Sequence, residues 1–112
     1  MPQDLHGNIY CKSTENLIYR GGIREGKRFG KGIEFYNSMN QRVLFRGDYY
    51  ENFRHGKGIE YEIDETVSSV GIWEYGRRQD VQNIDIASSN VLEWLNTDNK
   101  KQATNVINQD LF

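Results

Sequence analysis

The residues of this chain whose side chains could perform acid–base or nucleophilic chemistry are few. The only histidines, His6 and His55, stand in no Cys or Asp pattern that indicates a metal site or a nucleophile relay. Cys11 is the only cysteine, lies in no nucleophile motif and cannot form an intramolecular disulfide. Glu34 and Glu60 could be paired carboxylates, but their recurrence 26 positions apart favours a surface ladder. We therefore predict a non-enzymatic protein without catalytic, cofactor-binding or metal-binding residues.

A glycine-rich basic stretch, residues 19–36, has the composition of a loop that holds phosphate or RNA. Residues 28–35 also come close to the RNA-recognition strand in which basic, glycine and aromatic residues alternate. They lack the glycine before Phe29 and the second aromatic residue after Gly30. Because the stretch recurs with the period of a hairpin array, RNA binding stays a minor alternative, and the sequence argues against nucleic acid as a partner.

The same stretch belongs to an internal repeat. Residues 19–36 are restated by residues 45–61, with each key residue type displaced by 26 positions and an identical Gly-Lys-Gly-Ile-Glu segment in both. A period of this length is typical of stacked supersecondary units. A third copy opens 50 residues after the first, with Gly71, Trp73, Gly76 and Arg77 at the positions of Gly21, Ile23, Gly26 and Lys27.

Each full copy predicts a β-hairpin. In the first copy, residues 19–24 and 31–36 are rich in aromatic and β-branched residues and are joined by a glycine-containing connection of five or six residues. Gly26 and, in the second copy, Asn52 are the expected positions of positive φ. In the third copy, residues 69–75 are expected to form the last regular strand.

The glycines inside the predicted strands require a separate explanation, because glycine weakens a strand unless another group approaches closely. Strand residues alternate between faces, so Gly30 and Gly32 share one face. Bare glycine surface beside Tyr19 or Ile23 of a neighbouring strand lets aromatic rings lie flat over the backbone. We predict that these glycines are packing positions.

The chain divides into three predicted segments. Residues 1–18 are a degenerate partial repeat that caps the array, with an edge strand at residues 8–12. Residues 19–86 hold two full copies and one partial copy, with residues 81–86 extended but irregular. Residues 87–112 form a C-terminal segment with one or two short helices that covers a face or an end of the sheet. The predicted fold class is mainly β, a single twisted antiparallel sheet of consecutive β-hairpins.

The repeat carries a recognisable motif. In the first copy it consists of Tyr19, Gly21, Ile23, Gly26, Lys27, Gly30 and Gly32, and in the second copy it includes His55-Gly56-Lys57-Gly58. This pattern resembles the MORN (membrane occupation and recognition nexus) repeat, over roughly residues 19–78. The resemblance implies an elongated sheet of hairpins with non-enzymatic roles in scaffolding, in cytoskeletal or ciliary assemblies and in attachment near membranes. Departures at Phe29 and at Asn52-Phe53 concern the register of the hairpins.

The charge of the chain is divided unevenly along its length. The formal net charge is −2, yet residues 20–57 contain nine Lys/Arg against four Asp/Glu, a net of +5, and residues 58–112 contain four against ten, a net of −6. The basic part could bind an anionic membrane surface containing phosphoinositides, although the pleat would split its side chains between two faces. The candidate lipid-binding residues are Arg24, Lys27, Arg28, Lys31, Arg54 and Lys57.

The leading interpretation is a protein–protein interaction or scaffolding module that binds another protein or a second copy of itself. This interpretation rests on the exposed, single-layer sheet that the repeat predicts. The single cysteine and an N-terminus without a signal-peptide pattern predict a cytoplasmic location, and the resemblance adds the cytoskeleton or a membrane as sites of association. The candidate partner-binding residues are Tyr19, Ile23, Tyr36, Tyr49, Tyr61, Trp73 and Trp94.

Overall fold

The computed structural model describes residues 5–79 and 91–96. They form one open antiparallel sheet of seven strands that follow each other in chain order, together with one short helix. The strands are β1 (Leu5–Tyr10), β2 (Leu17–Arg24), β3 (Lys27–Phe35), β4 (Val43–Tyr50), β5 (Phe53–Tyr61), β6 (Val67–Glu74) and β7 (Arg77–Gln79), and the helix is α1 (Val91–Leu95). The prediction of a mainly β sheet of consecutive hairpins is confirmed.

Two-residue turns join β2 to β3, β4 to β5 and β6 to β7. The central pairs are Glu25-Gly26 (φ 53° and 78°), Glu51-Asn52 (51° and 77°) and Tyr75-Gly76 (46° and 86°). Positive φ at both residues is the type I′ geometry, whose twist matches that of the strands. Gly26 and Asn52 therefore occupy the conformation that the sequence predicted. The expected connection of five or six residues is wrong, because the tight turn lets β3 begin already at Lys27.

A row of glycines crosses six of the seven strands. Each glycine is the Cα partner of the next one, so that the row lies at one level of the sheet. This alignment follows from the repeat, because a constant strand length and turn length bring equivalent residues to the same level. The row consists of Gly7, Gly21, Gly32, Gly47, Gly58 and Gly71.

The two ends of the sheet differ from the predicted segments. An edge strand precedes the first copy as predicted, but it is β1, Leu5–Tyr10, rather than residues 8–12. The prediction that residues 69–75 form the last regular strand is wrong, because the Tyr75-Gly76 turn returns the chain and β7 pairs with β6. The predicted extended segment 81–86 lies outside the described residues.

The C-terminal helix is short. α1 has five residues, of which Val91 and Leu95 are buried. Residues 87–90 and 97–112 of the predicted C-terminal segment, with any second helix, lie outside the described residues. One helix of the predicted C-terminal segment is therefore observed.

Hydrophobic residues pack on both faces of the sheet. One cluster contains Tyr19, Phe45, Tyr49 and Trp73, on the same face as the glycine row, which we call the aromatic face. The second cluster joins Ile59 to Val91 and Leu95 of α1. Because Ile59 follows Gly58 in β5, it points to the opposite face, which we call the helix-bearing face.

Candidate functional site

The aromatic face is built by rings that lie over the glycine row. A Cβ at Gly32 would overlap the Tyr19 ring, and a Cβ at Gly58 would overlap the Phe45 ring. Tyr19 and Phe45 stand at equivalent positions of the first two copies, and both have 0 % of their surface exposed. The prediction that aromatic rings pack on bare glycine backbone is therefore confirmed at Gly32, but it is wrong for Gly30, which has a φ of 77° and at which a Cβ would meet nothing within 4 Å.

Arginine side chains form an outer layer on these rings. The guanidinium carbon of Arg28 lies 4.7 Å from the Tyr19 ring centroid, that of Arg54 4.1 Å from Phe45 and that of Arg78 5.6 Å from Trp73. The three arginines hold the same repeat position, at intervals of 26 and 24 residues. Cation–π contact of this kind stabilises the rings by about 0.5–2 kcal/mol each. Within the described residues, the aromatic face is therefore covered by side chains of the sheet itself.

Arg54 also joins two carboxylates on this face. Its side chain lies 3.1 Å from Glu34 Oε1 and 3.2 Å from Glu60 Oε2. The Tyr49 hydroxyl donates a hydrogen bond of 2.8 Å to the same Oε1 of Glu34. Burial, followed by the Glu34 charge, raises the pKa of Tyr49 above its usual range. These glutamates are held in a structural ion-pair network, not in a solvated ladder.

The predicted partner-binding residues are distributed over both faces. Tyr19, Tyr49 and Trp73 are buried in the aromatic cluster, and Ile23 packs against it. Burial also raises the pKa of Tyr19 to about 12. On the helix-bearing side, Tyr61 and Trp94 pack around α1, and the Tyr36 hydroxyl donates a hydrogen bond of 2.7 Å to the Tyr61 carbonyl. The structure brings these residues together as packing groups.

The helix-bearing face has a row of alternating arginine and isoleucine. Consecutive Cα partners along it are Arg20, Ile33, Arg46, Ile59 and Val70. α1 lies at the far end of this row, where Ile59 contacts Val91 and Leu95. Lys57 Nζ donates a hydrogen bond of 3.1 Å to the Trp94 carbonyl and lies 5.1 Å from the Trp94 ring centroid. A lysine thus closes the carboxyl end of the helix, where cations are favourable.

The two-residue turns form an edge that we call the aromatic edge. Tyr50, Phe53 and Tyr75 are 40 %, 49 % and 53 % exposed, and their rings contact one another with centroids 6.1–6.2 Å apart. Phe29 and His55 extend the group, at 6.1 Å and 5.6 Å from the Tyr50 ring. The Tyr75 amide donates a hydrogen bond of 3.0 Å to His55 Nδ1, so that the His55 side chain joins β5 to the neighbouring turn.

Charge distinguishes this edge from the opposite one. Residues 24–28, 50–54 and 74–78, around the turns, contain six Lys/Arg against three Glu. The loops of the opposite edge, residues 11–16, 36–42 and 62–66, contain two Lys/Arg against four Asp/Glu. The turn segments of the aromatic edge therefore carry a net positive charge, to which Arg28, Arg54 and Arg78 contribute from above the rings of the aromatic face, and the opposite edge is acidic.

The predicted lipid-binding residues do not form one patch. Arg28 and Arg54 lie over rings of the aromatic face, as described above. Arg24 lies 3.7 Å from the Phe29 ring centroid at the aromatic edge, and Lys27 pairs there with Glu51 at 3.0 Å. The remaining two, Lys31 and Lys57, belong to the helix-bearing face, where Lys31 is 3.8 Å from Asp48. Of the six, Arg24 and Lys27 lie at the aromatic edge.

Sequence reasoning did not identify the exposed rings of the aromatic edge. A signal for them was present, since Tyr50 and Phe53 occupy the positions at which the first copy has Arg24 and Lys27. The first copy folds into the same hairpin with charged residues at these positions. Aromatic rings there are therefore not needed for the fold, which indicates another role for them.

Cys11 lies in the loop between β1 and β2, at the acidic edge. Side-chain hydrogen bonds from Thr14 and Ser13, with a smaller contribution from Asn37, lower the pKa of the thiol to about 6. The Cys11 Sγ to Ser13 Oγ distance is 3.5 Å. The loop thus favours the thiolate, although the sequence has no nucleophile motif here.

Comparison with known proteins gives no assignment, since no family model, no curated protein and no solved structure matches the chain. Membership of the MORN family therefore stays a prediction from the repeat residues. Within residues 5–79 and 91–96, no group of three or more His, Cys, Asp or Glu side chains could hold a metal ion. No helix in the same part of the chain is long and apolar enough to cross a membrane.

Proposed function

We propose that the chain is a non-enzymatic protein-binding module that docks another protein through its aromatic edge. The single observation that supports this proposal is the contiguous exposure of Tyr50, Phe53 and Tyr75. The rings of the aromatic cluster, Tyr19, Phe45, Tyr49 and Trp73, are buried, whereas these three rings are exposed and adjacent to one another.

The chemistry of the edge suits a protein interface. Aromatic residues and arginine are enriched where proteins bind each other, because a ring supplies a large contact area and loses little conformational entropy. Tyrosine also keeps a hydroxyl for hydrogen bonds. Adjacent turns are tied together by the hydrogen bonds from the Asn52 amide to the Arg28 carbonyl and from the Gly76 amide to the Arg54 carbonyl. The rings are therefore presented by a rigid frame.

Photo-crosslinking in cells tests this function. A benzophenone amino acid placed at Phe53 should give a discrete protein adduct, and the same group at Met39, an 84 % exposed residue in a loop of the opposite edge, should not. The double substitution Tyr50→Arg and Phe53→Lys installs the residues that the first copy carries at these positions, so the fold should be kept while the adduct is lost.

The oligomeric state separates a foreign partner from a second copy. Light scattering on the purified chain should show a monomer if the partner is another protein, and a dimer that the double substitution dissociates if the partner is a second copy. A monomer that gives no adduct from either crosslinking position would overturn the proposal.

Binding to anionic membranes is the second candidate function. The observation that favours it is the net positive charge of the turn segments at the same edge, where Lys27 and Arg77 are exposed, while the opposite edge is acidic. Each basic residue near an anionic surface contributes about 1 kcal/mol, or roughly fivefold in affinity.

Phosphatidylcholine vesicles with and without phosphatidylinositol 4,5-bisphosphate provide the test of membrane binding. Retention at low salt that falls with Lys27→Ala and Arg77→Ala, but not with Lys12→Ala on the opposite edge, is expected, and no retention at low salt would exclude this function.

A further inference from the structure

The contacts of α1 show how a short helix binds to the helix-bearing face. The helix places Val91 and Leu95 on Ile59, a residue with 0 % exposure. Lys57, 8 % exposed, donates to the Trp94 carbonyl at the end of the helix. A short amphipathic helix therefore fits on one hairpin pair of this face, with isoleucine below its apolar stripe and lysine at its carboxyl end.

The same arrangement exists one repeat earlier. Lys31, Ile33 and Phe35 precede Lys57, Ile59 and Tyr61 by 26 residues along the chain. The strand register is also repeated, because Ile33 pairs with Arg46 as Ile59 pairs with Val70, and Phe35 pairs with Val43 as Tyr61 pairs with Val67. β3 and β4 thus repeat the platform on which α1 lies.

Charge distinguishes the earlier platform from the occupied one. Arg46 stands where the α1 platform has Val70, and Arg20 lies on the other side of Ile33 in the same row. Arg20 is exposed, with its guanidinium 5.8 Å from the Phe35 ring centroid. Asp48 lies at the side of the platform, next to Lys31. Two arginines that flank an apolar centre complement acidic groups on both sides of an apolar stripe.

We propose that the β3–β4 platform is a docking site for a short amphipathic helix of a partner protein, with an apolar stripe flanked by Glu or Asp. Ile33 and Val43 would contact the stripe, Arg20 and Arg46 would pair with the acidic flanks, and Lys31 would meet the carboxyl end of the helix. This site is separate from the aromatic edge, so that one can exist without the other.

A pair of synthetic peptides tests the site on the full chain. Both carry the Val-Leu-Glu-Trp-Leu sequence of α1 in a helical host of about 18 residues, which is long enough to form a helix in isolation. One peptide has Glu on its flanks and the other has Lys. Binding is followed by fluorescence anisotropy, and the site is located by amide chemical shifts. The Glu peptide should bind about tenfold or more tightly than the Lys peptide, with shifts centred on Ile33.

Charge reversal locates the interaction. Arg20→Glu should weaken binding of the Glu peptide by about tenfold, whereas Arg77→Glu, the same charge change at the aromatic edge, should alter it by less than about twofold. Ile33→Ala should weaken both peptides without a change of charge. Circular dichroism verifies that each variant is folded.

Three outcomes would overturn this proposal: no binding of the Glu peptide, equal binding to the Arg20→Glu variant, or shifts centred on Ile59 and Val70. In the last case the peptide merely replaces α1. None of these outcomes affects the crosslink from position 53, which reports on the aromatic edge. Failure of the helix site and failure of the proposed function are therefore distinguishable.

Discussion

The Tyr19 ring occupies the space that a side chain on Gly32 would fill. Its hydroxyl continues across the sheet and donates a hydrogen bond of 2.9 Å to the Gly22 carbonyl. The Tyr19 ring therefore joins β2 and β3 of the first copy, and the position beneath it has room for glycine only. Phe45 over Gly58 repeats the packing in the second copy without the hydroxyl.

Gly32→Ala is expected to destabilise the sheet by about 1–3 kcal/mol, because its methyl group overlaps the Tyr19 ring and the ring cannot leave its buried position without strain. Gly7→Ala is the matched control, since Gly7 lies in the same glycine row at the edge strand. A Cβ there would meet only the Cδ1 atom of Ile23 at 3.2 Å, the mobile end of a side chain. Urea denaturation measures both, and equal effects of the two substitutions would contradict the packing role of Gly32.

Arg54→Ala is expected to cost about 2–3 kcal/mol, because it removes the cation above Phe45 and leaves Glu34 and Glu60 without their shared partner. The control is Lys27→Ala. The Lys27–Glu51 pair has half-exposed side chains, and such surface pairs contribute about 0.5 kcal/mol or less. Thermal unfolding of the two variants at one salt concentration compares the costs, and a similar shift for both would show that the Arg54 network does not stabilise the aromatic face.

The Cys11 thiol should react with iodoacetamide with a half-maximal rate near pH 6, the value to which its pKa is lowered, instead of near the ordinary 9.0. The sign follows from the hydroxyl donors, which stabilise the thiolate and so permit the proton to leave at lower pH. Thr14→Val removes the largest contribution and should move the midpoint upward. The urea-unfolded chain is the reference, and a folded chain with the same midpoint as the unfolded one would disprove the effect of the loop.

Much of this fold was accessible from the sequence because the strand composition and the glycine-containing turns recur from copy to copy. Strand composition predicted the hairpins, turn chemistry predicted the positive φ at Gly26 and Asn52, and the need for close approach predicted that a ring would pack on Gly32. None of these predicted which rings would be buried, because that depends on the arginine layer. The sequence shows an arginine at the same repeat position in all three copies, Arg28, Arg54 and Arg78. The strand register is needed to show that they lie above Tyr19, Phe45 and Trp73.

The aromatic edge was hidden by the expected length of the hairpin connections. A loop of five or six residues would have separated Tyr50 from Phe53, whereas the two-residue turn makes them Cα partners. The docking platform of α1 was hidden for a different reason. Lys31 and Lys57 stand in identical Gly-Lys-Gly-Ile-Glu segments, so the sequence does not show that α1 docks beside Lys57. Only the observed position of α1 distinguishes the two lysines.

Leu95→Asp is expected to detach α1 and leave the sheet folded, because Leu95 and Val91 supply the apolar contact with Ile59 while the strands are held by their own ladders. Hydrogen exchange measured by mass spectrometry should show loss of protection in a peptide that contains the Asn96 amide, which donates to the Leu92 carbonyl, with β2 and β3 unchanged. Glu93→Ala, on the exposed side of the same helix, is the control and should keep the protection.

Detachment of α1 by Leu95→Asp also tests the docking proposal, because it uncovers Ile59. The Glu-flanked peptide should still prefer Ile33, since Val70 offers no charge where Arg46 does, and a switch of the peptide to Ile59 in this variant would show that apolar contact, not the arginines, selects the site.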